Sequence, residues 1–303
     1  MIDSASALAL FRAGLEHLGS WADSGEAGIR LLRVLTRRNG SGIDLWSDTL
    51  MYDQYLAAVL AYRGHLQEAY ATNRRLLLES AASPFSDFHD GFLSLSLLGV
   101  IPESLAATTF GRALEPATAW AMPPFNIPRQ LRGLPWWLAR GDTASLARFA
   151  LRAGQEAGRQ QSAGGKLRAR YLPAAATAYL ALARTDSAGA LRLFQAIPDT
   201  LCVENDCYSE KLTEARLLNS LGQKRKAGAV LDRWVWSGWF WSGSGPLVVL
   251  GVLERGRIAE GLGERQKARD SYQFVVDVWR RADPQLQPFV VEARNGLTRV
   301  MTE

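Results

Sequence analysis

Cysteine and histidine, the residue types that most often hold metals or act as nucleophiles, are scarce in this chain of 303 residues. Cys202 and Cys207 lie five positions apart in the polar segment Cys-Val-Glu-Asn-Asp-Cys. Such a pair either closes a small disulfide loop, which fits an oxidising compartment, or stays reduced, and the spacing leaves both states open. A metal site needs three or four ligands, and the three histidines, His17, His65 and His89, are distant from the cysteines in sequence. We therefore predict no metal site.

The sequence motifs of common catalytic sites are absent. The chain contains no Gly-x-Ser-x-Gly nucleophile elbow, no phosphate-binding glycine loop and no His-Glu-x-x-His zinc motif. The histidines show no partner pattern, and His89 stands in Asp-Phe-His-Asp-Gly, which is typical of a turn that begins a helix. We therefore predict a protein that is not an enzyme and that binds no cofactor.

Aromatic residues form the least ordinary feature. Ten tryptophans occur, four of them at positions 234, 236, 239 and 241, directly before the segment Ser-Gly-Ser-Gly-Pro. One or two of these rings could fill the gap between helix pairs, but a cluster that leads into a flexible turn is typical of residues that anchor a protein interface. The basic residues at 224–226 and 233 make contact with anionic lipid headgroups a second interpretation. The residues that we predict to bind a partner are Trp136, Trp137, Trp236, Trp239, Phe240 and Trp241.

Charge and hydropathy limit the function further. The chain has 35 basic and 30 acidic residues, and the arginines are scattered among comparable acid, so nucleic acid is not a predicted partner. Hydrophobic residues make up 48% of the sequence, which is enough for a buried core. The longest aliphatic stretch, at 247–253, is far shorter than the roughly 18 residues that a membrane-spanning helix needs.

The segments that would position these residues show helical periodicity and almost no strand signal. Four of them share one arrangement: a helix, a short turn, and an alanine five positions after the turn, with a small residue twelve positions before that alanine. The four alanines are Ala69, Ala190, Ala227 and Ala268, and their small partners are Ala57, Ala178, Ala215 and Gly256. The residues four positions after the alanines are Asn73 in the first copy and the large Phe194, Leu231 and Tyr272 in the others. Small residues at matched places let paired helices approach closely.

This arrangement resembles the tetratricopeptide repeat, whose two helices carry small residues at matched positions and an aromatic residue one turn later. The resemblance implies an all-α solenoid of stacked antiparallel helix pairs that binds other proteins. The last three alanines are 37 and 41 positions apart, against about 34 in the family, and we place the excess in loops near 202–207 and 239–246. Degenerate copies are predicted at 4–39, 92–114 and 136–154.

Proline divides the predicted array. Residues 116–135 contain several prolines, which remove amide donors and fix φ, so this stretch cannot be one continuous helix. We therefore predict N-terminal helical repeats at 1–115, an extended connection at 116–135, and C-terminal repeats with a capping helix at 136–303.

The C-terminal part carries a second resemblance. Trp279, followed by Ala-Asp-Pro at 282–284 and Leu-Gln-Pro at 286–288, is similar to the closing repeat of the tetratricopeptide tails of some bacterial serine/threonine kinases. No kinase motif is present in the chain. The resemblance predicts that residues 292–300 form the last, capping helix.

The resemblances imply two alternative functions. The first is a non-catalytic scaffold, an accessory subunit of a larger assembly, such as the membrane-extrinsic subunit that holds a bacterial photosynthetic reaction centre within its light-harvesting ring. The second is a sensor or recruitment module derived from a bacterial kinase or transcription regulator. No basic residue precedes Arg12, so no signal peptide is predicted. If Met1 is the native start, we expect the cytoplasm, with peripheral membrane contact left open; a processed or kinase-tail segment would be extracytoplasmic.

Overall fold

The computed structural model describes residues 56–72, 89–114, 133–157, 163–199, 207–234 and 245–302, together with the single positions 30, 53 and 74. Within these ranges the regular structure is entirely helical and no strand occurs. Consecutive helices pack against each other along the chain. The predicted all-α class is confirmed, and the packing is consistent with a repeat-like stack of helix pairs.

Thirteen helices can be followed in the described part of the chain. Helical residues 56–62 (α1) and 66–72 (α2) form the first pair. The helices that follow are α3 (His89–Leu97), α4 (Glu103–Gly111), α5 (Gly133–Ala139), α6 (Thr143–Ala157), α7 (Ala163–Ala183), α8 (Ser187–Gln195), α9 (Tyr208–Ser220), α10 (Lys224–Trp234), α11 (Gly245–Gly261), α12 (Arg265–Val278) and α13 (Gln287–Thr302). Short 3-10 turns occupy Arg112–Leu114 and Pro284–Leu286. The capping helix α13 is longer at both ends than the predicted 292–300.

The two helices of each described pair are joined by the same hydrogen-bonded turn. Between α9 and α10, the Gly222 N–H donates to the carbonyl oxygen of Asn219 (3.0 Å) and the Gln223 N–H to that of Leu218 (2.8 Å). This Schellman pattern places one residue in the left-handed region, where glycine costs little. The left-handed residues of the six turns are Gly64, Gly99, Gly141, Thr185, Gly222 and Gly263.

The repeat register predicted from small residues is visible in the packing. All four predicted alanines, their four small partners and the three large residues are buried. At Gly256 a Cβ atom would lie 2.8 Å from Cε1 of Tyr272, so the tyrosine ring packs directly on the glycine. In the degenerate copy at 136–154 the equivalent position is the fully buried Leu146. In the copy at 92–114 the turn is longer and Ala106 is buried instead.

The predicted boundary at 116–135 requires a small correction. Residues 133–135 belong to α5, because a proline in the first turn of a helix removes an N–H group that needs no partner there. Residues 116–132 and the degenerate copy at 4–39, apart from position 30, lie outside the described residues.

The first helices of neighbouring pairs lie close together. Contacts join α3 to α5, α5 to α7, α9 to α11 and α11 to α13. The second helices α8, α10 and α12 contact instead the first helix of the next pair or α13. In a curved stack the elements that lie closest together occupy the inner side. We therefore call α3, α5, α7, α9, α11 and α13 the inner helices.

The first described pair packs against the turn between α12 and α13. Trp279 is fully buried, and its Nε1 donates to the carbonyl oxygen of Tyr62 at 2.9 Å. The Asp283 N–H donates to the Gly64 carbonyl oxygen at 2.9 Å, and Asp283 Oδ2 accepts from the Gln67 N–H at 2.8 Å. We call the contact between residues 62–67 and 279–286 the seam.

Close packing at the seam leaves no room for a side chain at residue 64. A Cβ atom at Gly64 would lie 2.5 Å from the Cβ of Ala282 and 2.9 Å from Cδ1 of Leu286. The residues of the C-terminal Trp…Ala-Asp-Pro…Leu motif thus form one side of the seam. They pack against the turn between α1 and α2, which lies more than 200 residues away in sequence.

Candidate functional site

The aromatic residues predicted to bind a partner divide into two groups. Trp236, Trp239, Phe240 and Trp241 lie outside the described residues. Trp136 and Trp137 are buried, with 4% and 2% of their surface exposed, so in this structure they do not form an exposed contact surface. They are covered because α5 is only seven residues long and contacts α3, α6 and α7. The large rings fill the space around this short helix.

Trp136 contacts an aromatic ring and a guanidinium, neither of which could be predicted from the sequence pattern. Its ring centroid lies 5.3 Å from that of Phe110, and the guanidinium carbon of Arg140 lies 4.0 Å from the ring centroid. The Arg140 Nε also donates to Glu103 Oε1 at 2.8 Å. Trp136 therefore joins α5 to α4, as a core residue with a cation on its face.

Cys207 is fully buried at the start of α9 and is disulfide-bonded. The sequence left the redox state of this residue open. Cys202, the only other cysteine in the chain, lies outside the described residues.

A row of polar side chains crosses α9, α11 and α13. Arg257 on α11 donates from Nε and Nη2 to the two carboxylate oxygens of Glu292 on α13, at 2.5 and 2.7 Å. Its Nη1 donates to Glu254 Oε2 at 2.7 Å. The other carboxylate oxygen of Glu254 accepts from Asn219 Nδ2 on α9 at 3.2 Å. We call these four residues, together with Arg216 on α9, the inner charge row.

The inner charge row is held in place by its own pairing. Glu254 is only 5% exposed, and a buried carboxylate is tolerated when its oxygens are hydrogen-bonded. The hydrogen bond between Arg257 and Glu292 raises the pKa of the guanidinium and lowers the pKa of the carboxyl group. Because these bonds connect three successive inner helices, they fix the positions of these side chains.

Arg216 is the cation of this row for which the described part of the chain provides no partner. It is exposed, and it forms no hydrogen bond or ion pair with any other residue that the structure describes. Although the residue is exposed, partial desolvation of its guanidinium lowers the pKa of Arg216 most strongly, while the Glu254 carboxylate acts in the opposite direction. Arg257 lies near enough to add repulsion. Both carboxylates of the row are already bonded to Arg257, so the Arg216 guanidinium can accept a further anionic partner.

Sequence reasoning missed this row, although one signal was present. Arg216 follows Ala215 and Arg257 follows Gly256, so arginine occupies the same position beside the small residue in two successive repeats. Because arginine occurs throughout the chain, this regularity does not stand out in the sequence.

Other buried charge on α9 is compensated within the fold. The Lys211 ammonium lies 2.9 Å from Asp199 Oδ1 and 3.0 Å from Glu214 Oε2, and Asp199 also pairs with Arg233 at 2.6 Å. These bonds connect α9 to α10 and to the end of the segment after α8, which is a structural role.

Across the described ranges, no three histidine, cysteine or acidic side chains converge in a way that could hold a metal ion. None of the helices in those ranges is both long enough and apolar enough to cross a membrane. Comparison with protein-family models, with curated proteins and with solved structures gives no match.

Proposed function

We propose that this protein is a non-catalytic scaffold that binds another protein along its inner helices. The helix pairs act as tetratricopeptide-like repeats, and the inner charge row is the part of the surface that recognises the partner. Stacked helix pairs suit this role because they present an extended, continuous surface to one or more partners.

The observation that carries the proposal is the guanidinium of Arg216, which pairs with no described residue and lies beside a fixed network. A guanidinium matches a carboxylate through two parallel hydrogen bonds, which add geometric specificity to charge attraction. In a partly enclosed place such a bond is stronger than at an open surface, because less water competes for it. The partner is therefore expected to supply an aspartate, a glutamate or a chain-terminal carboxylate.

The test compares two charge reversals of equal size. Arg216→Glu reverses the charge on the inner helix α9, and Arg269→Glu reverses an exposed charge on the outer helix α12. Tagged versions are purified from the native cell, from both membrane and soluble fractions, and sized. We expect the parent protein and Arg269→Glu in a larger assembly, and Arg216→Glu largely outside it. A parent protein that elutes alone as a monomer would end the scaffold proposal.

The narrower role suggested by the sequence resemblance is a membrane-extrinsic subunit of a bacterial photosynthetic reaction-centre complex. It is supported by the resemblance alone. The same purification addresses it, because that assembly would carry the absorbance of photosynthetic pigments. A colourless assembly would contradict the narrower role and leave the scaffold proposal standing.

A further inference from the structure

The turns that join α9 to α10 and α11 to α12 lie at one end of the helix stack, next to the end of α13. The Arg299 guanidinium near the end of α13 donates to both carboxylate oxygens of Glu260 near the end of α11, at 2.6 and 3.0 Å. A Cβ atom at Gly261 would lie 3.0 Å from Nζ of Lys224, so the start of α10 also meets the end of α11. We call residues 220–226, 260–266 and 299–302 the turn edge.

Three cations of the turn edge have no ion-pair partner among the residues that the structure describes. Lys224, Arg225 and Lys226 are all exposed. The Lys226 ammonium donates to the neutral Gln223 side chain at 3.0 Å, and none of the three forms an ion pair with a residue in the described ranges. The carboxylates of the edge are bonded to other cations, since Glu260 bonds to Arg299 and Glu264 lies 2.7 Å from Lys267.

The placement of these three cations is unfavourable for the helix that carries them. They occupy the first turn of α10, where the helix dipole is positive and acidic residues are stabilising. Three adjacent like charges also repel one another. The contacts of these three cations within the described residues therefore do not explain their placement, whereas binding to an external anion explains it.

Apolar side chains project from the same edge. Leu221 is 41% exposed at the α9–α10 turn, and Met301 is 65% exposed at the end of α13. They belong to the small set of large apolar side chains that the described part of the chain exposes. Leu221 lies between Ser220 and Gly222, and Met301 lies between Val300 and Thr302.

We propose that the turn edge docks on the surface of an anionic lipid bilayer. Residues 224–226 contact the headgroups, while Leu221 and Met301 enter the boundary between headgroups and acyl chains. Charge complementarity selects an anionic occupant. Two exposed apolar side chains on separate elements, one in the α9–α10 turn and one at the end of α13, fit a bilayer better than the packed core of a protein interface.

The test measures co-sedimentation with vesicles of pure phosphatidylcholine and with vesicles containing about 30% phosphatidylglycerol. We expect binding to the anionic vesicles alone, weakening as salt is raised because the exposed charges are screened. Each basic residue at an anionic surface contributes about fivefold in partitioning, so K224Q/R225Q/K226Q should lower it on the order of 100-fold. The matched control R148Q/R192Q/R294Q removes three exposed arginines outside the turn edge and should retain most of the binding.

The apolar side chains give a second, independent measurement. Leu221→Ser together with Met301→Ser should lower partitioning several-fold while leaving its salt dependence unchanged, because burial of apolar surface is not screened. Circular dichroism of every variant verifies that helical content is retained.

Three outcomes would overturn the docking proposal: no binding of the parent protein to anionic vesicles, an equal loss in the control, or binding to soluble polyglutamate without binding to vesicles. The last would identify an acidic protein as the occupant. Arg216→Glu lies outside the turn edge and should leave vesicle binding intact, so failure of this proposal and failure of the scaffold proposal can be distinguished.

Discussion

Replacing a turn glycine with alanine, once at the seam and once in an equivalent turn elsewhere, measures how much the seam contributes to the free energy of unfolding. Gly64 and Gly222 occupy the same position in equivalent turns, with φ of 82° and 78°. Alanine in the left-handed region costs about 1–2 kcal/mol at either position. At Gly222 a Cβ atom meets nothing within 4 Å, so this strain is the whole expected effect.

At Gly64 a further cost is added by the seam. The new methyl group would lie 2.5 Å from the Cβ of Ala282, far inside contact distance. Overfilling a close-packed site typically costs about 1–3 kcal/mol more, so Gly64→Ala should lower the free energy of unfolding by about 2–5 kcal/mol in total. The difference between the two variants isolates the seam, because the backbone strain is common to both.

Urea unfolding followed by helical circular dichroism gives the two free energies, with equal slopes expected if both variants unfold as one unit. Hydrogen exchange locates the damage. The amide of Asp283, which donates to the Gly64 carbonyl oxygen, should exchange faster in Gly64→Ala and at the parent rate in Gly222→Ala. Equal destabilisation by the two substitutions, with the Asp283 amide equally protected from exchange, would refute the close packing at the seam.

The remaining predictions concern charge, redox state and the aromatic loop. The hydrogen bond from Arg257 holds the pKa of Glu292 below its ordinary 4.5. The ionised Glu292 therefore contributes its full stabilisation above pH 4.5, and this stabilisation is lost as the pH falls through the lower pKa of the folded state. Urea titrations between about pH 6 and pH 3 should therefore show a smaller acid loss for Glu292→Gln, and an equal loss would argue against the pairing. A thiol assay on unreduced, unfolded protein should find no reactive thiol, since Cys207 is disulfide-bonded; two thiols per chain would contradict this. Trp239→Ser with Trp241→Ser should weaken partner binding with helical content almost unchanged, whereas loss of the fold would show these rings to be core.

The repeat architecture could be predicted because its signal is local. Ala227 and Ala215 are twelve positions apart, and the close approach of two helices joined by a three-residue turn depends on just such pairs. The turn glycines can likewise be predicted from the sequence, since a helix that ends in the left-handed region favours glycine. Thr185 shows the limit of this signal, because it adopts the same geometry with φ of 65°.

The seam and the inner charge row were not predicted because they depend on residues distant in sequence. Trp279 and Tyr62 are 217 positions apart, and nothing in the spacing of either residue names the other. The bonds of Arg257 likewise depend on which helices become neighbours. Trp136 and Trp137 were predicted to bind a partner because tryptophan is common at interfaces, but both are buried where the short helix α5 packs between its neighbours.

A photoreactive side chain placed at position 216 tests most directly whether the inner helices bind a protein. Irradiation in the native cell should crosslink that variant to one defined partner, while the same side chain at position 269 on the outer helix α12 should give no such product. Crosslinking of equal yield at both positions, or at 269 alone, would contradict binding along the inner helices.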